Sequence, residues 1–204
     1  MNELSVGAIV GNGVKQGVSS AGAIIVNVVL YVLTVWIPYL NVGTTIGLTV
    51  GLVAKAGRGE PISPTEIFNP VYRKQMGDYF LVSALVSMGT SLAILLLVIP
   101  GIVLSIAWSL ATLLVVDKGL NPTAAMTKSN NVTYGKKWTI FFGVLVLTLI
   151  VAVVAGVLAA IGAAVSETLG AVLAVIGVIL SVSILICGNG YIYNTLTSDV
   201  VAEG

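Results

Sequence analysis

The sequence predicts an all-α, polytopic membrane protein with six transmembrane helices in three hairpins, each hairpin preceded by a short helix at the membrane surface. The 204 residues are 57% apolar and 8% charged, whereas soluble domains carry about 25% charged residues. Three long stretches contain no Lys or Arg, and the only acid within them is Glu167, which falls in a turn. Each stretch is long enough for two membrane crossings, because one crossing needs about 20 apolar residues.

A turn signal divides each stretch, at Pro38, at Pro100-Gly101 and at Ser166-Glu167. Proline lacks a backbone donor and favours the start of a helix directly after a turn. The second and fourth of the resulting helices are short for a full crossing. The predicted transmembrane helices cover residues 18–37, 40–55, 79–98, 101–116, 138–164 and 169–195.

Three similar segments precede the hairpins and start 58 residues apart: LSVGAIV at Leu4, ISPTEIF at Ile62 and LNPTAAM at Leu120. The second and third share a Pro-Thr pair behind a capping residue, which is typical of a helix start. We therefore expect one membrane domain built from parallel repeat units at about 4–61, 62–119 and 120–198. The alternative is that apolar hairpins resemble one another by composition alone.

All nine basic residues lie on one side of this predicted topology. Short loops rich in Lys and Arg stay in the cytoplasm, so we expect a multi-pass protein of the cell membrane with both termini in the cytoplasm and the lipid bilayer as its partner. The N-terminal sequence lacks the order of charged and apolar residues that marks a cleaved signal peptide. Residues expected to contact lipid headgroups or the interface are Arg73, Lys74, Lys128, Lys136, Lys137 and Trp138.

Little in the sequence points to catalysis. The chain contains no histidine, which removes the commonest general base and the commonest transition-metal ligand. Apart from Lys55 at the last position of the second predicted span, no charged residue lies within a span, and this counts against a pump or a proton-driven transporter. We interpret the acids Glu60, Glu66, Asp78 and Asp117 as solvated charges at the membrane surface. The sequence thus predicts no enzyme, cofactor or metal, and the net charge of +1 argues against nucleic acid as a partner.

Small residues four apart line one face of the second and the fifth predicted helices. Glycine and alanine at this spacing let helix backbones approach closely. Such a face packs within the chain or forms the interface of a homo-oligomer, and the spacing fits both. The residues are Gly43, Gly47, Gly51, Gly156, Ala160 and Ala164.

The polar groups in the predicted spans are hydroxyls and amides. They form hydrogen bonds between helices, or some of them line a path for a solute. Gly188 and Gly190 flank Asn189 late in the last helix, where a kink would free carbonyl groups for binding; a polar helix end is the simpler interpretation. The possible solute contacts are Thr44, Thr45, Ser83, Ser109 and Asn189.

One pattern extends over the middle of the chain. The Pro100-Gly101 turn is followed by Trp108-Ser109, then by Asp117 and Gly119, and then by Ala125 and Ser129, and it closes on Gly135, Lys136, Lys137, Trp138 and Phe141. Together with the upstream stretch AKAGRGEPISPTEIF, this pattern resembles the membrane domain found beside bacterial glycerophosphodiester phosphodiesterases, and a related family of six-helix membrane proteins. The resemblance covers residues 53–142 and implies a bare membrane module without a catalytic domain.

We therefore expect a non-enzymatic membrane module that scaffolds or organises the bilayer, through self-association as a homo-oligomer or through a partner membrane complex. The alternative is a transporter or channel for a small or amphiphilic, lipid-like solute, which would require a hydrated cavity at the hydroxyl residues. A membrane enzyme acting on lipid headgroups is the third hypothesis, and it requires Glu66, Asp78 or Asp117 to converge.

Overall fold

The computed structural model describes residues 4–200, and every regular element in that range is helical. A π-helical turn (Gly47–Gly51) joins α3 to α4, and a 3-10 turn (Glu66–Phe68) precedes α5. The α-helices are α1 (Val6–Ser19), α2 (Ala21–Thr34), α3 (Leu40–Ile46), α4 (Leu52–Arg58), α5 (Val71–Lys74), α6 (Met76–Leu96), α7 (Val98–Ala107), α8 (Ala111–Lys118), α9 (Pro122–Thr133), α10 (Lys137–Val165) and α11 (Glu167–Thr197).

Four helical segments are long and apolar enough to cross a membrane: α6, α7 together with α8, α10 and α11. By length and composition, the chain is a multi-pass helical membrane protein. The ends of α8 and α11 lie side by side, since the Tyr193 hydroxyl donates to Asp117. The connections at Leu97 and Ser166 therefore both lie at the opposite end of the bundle. We call the end where α6 and α10 begin the basic end.

The α10–α11 pair is the most closely packed part of the bundle. Ser166 breaks the helix and caps α11, because its hydroxyl oxygen accepts the Leu169 N–H at 3.1 Å. A Cβ atom added to Gly162 would lie 2.8 Å from the Leu169 carbonyl oxygen, and one added to Gly177 would lie 2.9 Å from Ala155. Glycine is needed at these positions because the helix backbones are almost in contact.

Helix α1 packs along the basic-end halves of α10 and α11. Its Ile9 side chain lies against Gly143, and the Ser183 hydroxyl donates to the Gly17 carbonyl oxygen at 2.7 Å. After Ser19 the chain turns by 76°. Because α1 follows the direction of the spans, α2 runs across the bundle rather than along it.

Helices α2, α3 and α4 form a hairpin over residues 21–58, which we call the transverse hairpin. Its tip lies beside the start of α6, where the Arg73 guanidinium stands 5.8 Å from the centre of the Tyr39 ring. Its other end reaches α11, where Gly57 packs against the backbone of Gly190. The tip and the α4 end of the transverse hairpin thus lie at the basic end of the bundle, whereas α2 begins near the middle of α11, just after Gly17 contacts Ser183.

Helix α9 fills the break between α7 and α8 at residues 108–110. The Ser129 hydroxyl donates to the Ala107 carbonyl oxygen at 2.7 Å and accepts the Leu110 N–H at 3.2 Å. These are backbone groups that the broken helix leaves without an intrahelical partner. The Asn121 side chain caps the start of α9.

The structure does not confirm the predicted number of spans. Four helices meet the requirement, or five if α1 and α2 are counted as one bent span, whereas the sequence predicted six. The difference lies in the first hairpin, since the helix predicted over 18–37 is broken at Ser20 and the one over 40–55 contains the π-helical turn. This apolar run is long enough for two crossings, but its tertiary contacts turn it across the bundle.

The remaining predicted spans match α6, α7 with α8, α10 and α11 to within three residues at each end. The predicted surface helices are less alike than the repeat suggests. The second segment forms a 3-10 turn and the four-residue α5, because Pro70 interrupts it. The third forms the twelve-residue α9, and the first is the start of α1.

Candidate functional site

Charged side chains from three parts of the chain meet at the basic end. Helix α4 ends directly after Arg58, because Gly59 adopts a φ of 68°, a conformation that favours glycine. The chain then folds back so that Glu66 faces α4. Gly119 ends α8 in the same way with a φ of 72°, which leaves Asp117 in the last turn of that helix.

Glu66 is the centre of a first cluster, and only 4% of its side chain is exposed. Its carboxylate accepts hydrogen bonds from Lys55 Nζ at 2.8 Å and from the Tyr72 hydroxyl at 2.8 Å. The Asn69 amide donates to it at 3.4 Å. A buried carboxylate needs such partners, because the loss of its hydration is costly. The cluster ties the segment before α6 to α4.

Asp117 is the centre of a second cluster, with 13% of its side chain exposed. Its carboxylate accepts hydrogen bonds from the Arg58 guanidinium and, at 2.7 Å, from the Tyr193 hydroxyl. Arg58 also pairs with Glu60 at 2.6 Å. These contacts join α4, α8 and α11 at one point.

A cavity of about 190 Å³ lies between the two clusters, and we call it the charged cavity. Gly51 lines one wall, and a Cβ atom there would overlap the Tyr72 ring. The π-helical turn is thus shaped to receive that ring. The polar residues that line the charged cavity are Lys55, Arg58, Glu66, Asn69, Tyr72 and Asp117.

The surroundings fix the ionisation of these groups. Burial opposes the charge of Glu66, but the hydrogen bonds from Lys55 and Tyr72 outweigh it and lower the pKa of Glu66 below its ordinary value of 4.5. Burial and the bond to Glu66 raise the pKa of the Tyr72 hydroxyl. Burial also opposes the charge of Arg58, yet its bonds to Glu60 and Asp117 raise its pKa overall. At neutral pH Glu66 and Arg58 are charged and Tyr72 is protonated.

This arrangement suits binding better than proton transfer. A general base works best when its pKa lies near the working pH, and the pKa of Glu66 is shifted away from neutrality. Within residues 4–200, no three side chains of the types His, Cys, Asp and Glu come together as a metal site would require.

The interpretation of the four acids as solvated charges is wrong for Glu66, which is buried, and for Asp117, which is largely buried. Glu60 and Asp78 are exposed, as that interpretation requires. Glu66 and Asp117 do line one cavity, whereas Asp78 lies in the first turn of α6.

A second feature is a pair of cavities of about 400 and 380 Å³ that share Ser109, Leu113 and Asn189. We call the pair the lateral groove. The Ser109 hydroxyl donates to the Ile106 carbonyl oxygen at 2.9 Å, and the Asn189 amide donates to the Leu185 carbonyl oxygen at 2.9 Å. These two donors are therefore satisfied by their own helices, and their oxygen atoms remain as acceptors. The rest of the groove is mostly apolar, with hydroxyls at Thr49, Ser105, Thr112 and Thr148.

The other predicted solute contacts lie apart from the lateral groove. Thr44 is buried and donates to the Asn41 carbonyl oxygen at 3.1 Å. Thr45 donates to the Tyr31 hydroxyl at 3.4 Å, and Ser83 is half-buried on α6. The five residues thus do not line one continuous path, although Ser109 and Asn189 share the lateral groove.

The two small-residue faces have different surroundings. Gly43, Gly47 and Gly51 face residues 67–73 of the same chain, and a Cβ atom on Gly47 would lie 2.8 Å from the Ile67 Cα atom. On α10, Gly156, Ala160 and Ala164 are exposed. A Cβ atom added to Gly156 would meet nothing within 4 Å.

The predicted headgroup contacts are at the basic end. Lys74 and Lys128 are exposed, while Arg73, Lys136 and Lys137 are half-buried. Trp138 is 54% exposed and stacks on Phe142 with ring centres 6.0 Å apart. An exposed aromatic beside bases is typical of a membrane interface.

Sequence reasoning missed the role of Lys55, Arg58, Tyr72 and Tyr193. One signal was available: Lys55 and Arg58 are three residues apart, which places them on one face of a helix. Their acidic partners lie 11 and 59 residues away in sequence, and no local pattern reports such distances.

No protein-family model, curated protein or solved structure matches this chain. The resemblance to the membrane domain of glycerophosphodiester phosphodiesterases stays a prediction that rests on residues 53–142. The class of protein is therefore defined by the fold and the site: a helical, multi-pass membrane protein with a charged cavity and a lateral groove.

Proposed function

We propose that the chain is a non-enzymatic membrane module that organises the bilayer around it. The observation that carries this proposal is the transverse hairpin. Its α2 runs at 76° to α1, close to the plane of the membrane, and leads to a tip that lies beside Arg73 at the basic end. The transverse hairpin therefore increases the cross-sectional area of the protein in one leaflet, whereas the spans occupy area in both leaflets.

The surface of the transverse hairpin fits this position. Val29 and Leu33 are exposed on α2, as is Trp36 at the tip, which is 84% exposed. Arg73 and Lys74 lie in α5, directly before α6. Apolar residues beside bases are typical of helices that lie in the interface, and their binding depends on membrane curvature and lipid composition.

The proposed topology has four crossings and the transverse hairpin on the cytoplasmic side, in place of six crossings. Lys and Arg favour the cytoplasmic side, and the basic end holds these residues apart from Lys15 on α1. An even number of crossings leaves both termini in the cytoplasm, in the cell membrane. In this four-crossing topology the parallel repeat consists of the three segments that start at Leu4, Ile62 and Leu120. The second and the third segment each precede a pair of spans.

We further propose that the module acts through self-association. The outward face of α10 at Gly156, Ala160 and Ala164 lets a second helix approach closely. Mass measurement in mild detergent tests this, with Gly156→Leu as the variant. We expect an oligomer that dissociates in the variant, and a strictly monomeric wild-type protein would contradict it.

Reconstitution into vesicles of graded diameter tests the organising role. We expect more protein per lipid on small vesicles, because a wedge in one leaflet favours curvature. The double variant Val29→Ser/Leu33→Ser, which weakens the apolar face of α2, loses most of this preference. Val71→Ser is the matched control, since Val71 is also exposed at the basic end but lies outside the hairpin. Equal density on all diameters in the wild type would contradict the proposal.

The lateral groove favours a second function, the binding or transport of an amphiphilic solute. Ser109 and Asn189 place acceptor oxygens in a mostly apolar groove, which suits a molecule with a polar head and an apolar tail. A fluorescent single-chain amphiphile should bind saturably, and Ser109→Ala/Asn189→Leu should weaken this binding. Thr90→Val is the control, because the Thr90 hydroxyl also donates to its own helix. If the double variant binds the amphiphile as tightly as the wild type does, the lateral groove is not its binding site.

A further inference from the structure

The charged cavity has unused hydrogen-bonding capacity of one kind. A lysine ammonium has three N–H donors and an arginine guanidinium has five. Lys55 uses one donor on Glu66. Arg58 uses three, two on Glu60 and one on Asp117. Two N–H groups on each base are left for another acceptor.

The carboxylates of Glu66 and Asp117 have less free hydrogen-bonding capacity than the two bases. Glu66 accepts from three donors and is 4% exposed. Asp117 accepts from Arg58 and Tyr193, and Lys118 Nζ lies 4.0 Å away. What the cavity can still recognise is therefore an anion with several oxygen atoms, not a cation.

The two acids also hold the bases in place. Lys55 and Arg58 lie on one face of α4, and their partners come from the segment before α6 and from α8. Bases fixed in this way lose little side-chain entropy when a ligand binds. The cavity volume of about 190 Å³ is many times the roughly 10–15 Å³ that a cavity needs to hold one water, which leaves room for a tetrahedral anion.

We infer that the charged cavity binds a phosphate group between Lys55 and Arg58. Arg and Lys donors are the usual partners of phosphate in proteins. The phosphate belongs to a lipid headgroup or to a soluble phosphate compound, since the cavity lies at the basic end, where the aqueous phase and the headgroups meet. Helix α4 of the transverse hairpin supplies both bases, but the inference does not depend on the proposed effect of that hairpin on the bilayer or on the lateral groove.

The test uses the full chain, purified in detergent and stripped of lipid. One arm titrates inorganic phosphate and glycerol 3-phosphate by calorimetry. The other arm measures uptake of a short-chain phospholipid, with a diacylglycerol of the same chain length as the phosphate-free control. Binding in the first arm identifies a soluble ligand, and uptake of phospholipid alone identifies a headgroup. Binding in neither arm, or equal uptake of the diacylglycerol, overturns the inference.

The variants remove donors without stranding a buried charge. Lys55→Met/Glu66→Gln leaves a side-chain carbonyl for Tyr72, and Arg58→Met/Asp117→Asn leaves one for Tyr193. Replacing both members of a buried ion pair is often tolerated. We expect each pair to weaken phosphate binding about tenfold, the effect of one lost charge-assisted bond, while Lys55→Arg retains it. Unchanged binding in both double variants, with melting temperatures near that of the wild type, overturns the site.

Discussion

Glu66 shows what a buried charge does in this protein. The chain contains eight acidic residues. Glu66 is buried and accepts hydrogen bonds from three donors. The carboxylate fixes Lys55, Tyr72 and Asn69 at once, and so defines one side of the charged cavity. Its contribution is positional as much as energetic, because a buried ion pair adds little net stability compared with an apolar pair.

Replacing Glu66 by alanine should destabilise the protein by about 3 kcal/mol. The change leaves Lys55 unpaired and removes the acceptor of the buried Tyr72 hydroxyl. Thermal unfolding in detergent measures the loss. Glu60→Gln is the matched control: its carboxylate also pairs with a base but is 43% exposed, so we expect a change within about 0.5 kcal/mol. Equal melting temperatures for the two variants would show that Glu66 is not a structural centre.

The shifted pKa of Glu66 leads us to expect that the stability of the fold depends on pH. Because the folded pKa of Glu66 is lowered from 4.5, its stabilisation is fully present above that ordinary value. It is lost as the pH falls through the lower, folded value. Melting temperatures from neutral to acidic pH should therefore fall less steeply in Glu66→Gln than in the wild type. Parallel curves would contradict the assignment.

At the scale of single elements, glycine decides how closely the helices approach. Gly57 of α4 faces the backbone of Gly190 on α11, whereas Gly11 of α1 has no atom within 4 Å of an added Cβ. Both residues are helical. The same residue type thus has opposite roles, and the sequence alone does not separate them.

Gly57→Ala should destabilise the protein by about 1–3 kcal/mol, because the new methyl group overlaps the α11 backbone. Gly11→Ala should stabilise it by up to about 1 kcal/mol, through helix propensity. The difference in sign is measured by thermal unfolding of both variants. Stabilisation by Gly57→Ala would mean that α4 and α11 do not pack as described.

The break between α7 and α8 depends on one hydroxyl. Ser129→Ala should cost about 1–3 kcal/mol, since the Ala107 carbonyl and the Leu110 N–H lose their partner while buried. Thr127→Ala on the same helix removes an exposed hydroxyl that bonds only to its own helix, so it should be nearly neutral. A similar melting temperature for the two variants would contradict the role of Ser129.

The predictable elements are those that local sequence determines. The α10–α11 pair was predicted to within two residues, because a long apolar run and the Ser166 turn are both local signals. The transverse hairpin was not, since its direction depends on Gly57 meeting Gly190 and on Arg73 meeting Tyr39. The charged cavity was missed for the same reason: its ion pairs join residues that are distant in sequence.

At the scale of the whole molecule, charged residues and short helices are concentrated at the same end of the bundle. The bases other than Lys15, the tip of the transverse hairpin, α9 and the charged cavity are at the basic end. The opposite end consists of the short connections at Leu97 and Ser166. A protein built in this way presents almost all of its polar surface to one side of the membrane.

This asymmetry predicts a labelling pattern that separates four crossings from six. In a Cys187→Ser background, single cysteines are placed at Pro38, Asn131 and Ser166 and treated with a membrane-impermeant thiol reagent on intact cells and on opened cells. We expect Ser166→Cys to react from outside, and Asn131→Cys to react only after opening. Pro38→Cys, at the tip of the transverse hairpin, should behave like Asn131→Cys, because Tyr39 lies beside Arg73 at the basic end.

If Pro38→Cys reacts from outside while Asn131→Cys does not, the first hairpin crosses the membrane and the one-leaflet wedge does not exist. If Asn131→Cys reacts from outside, the orientation itself is reversed.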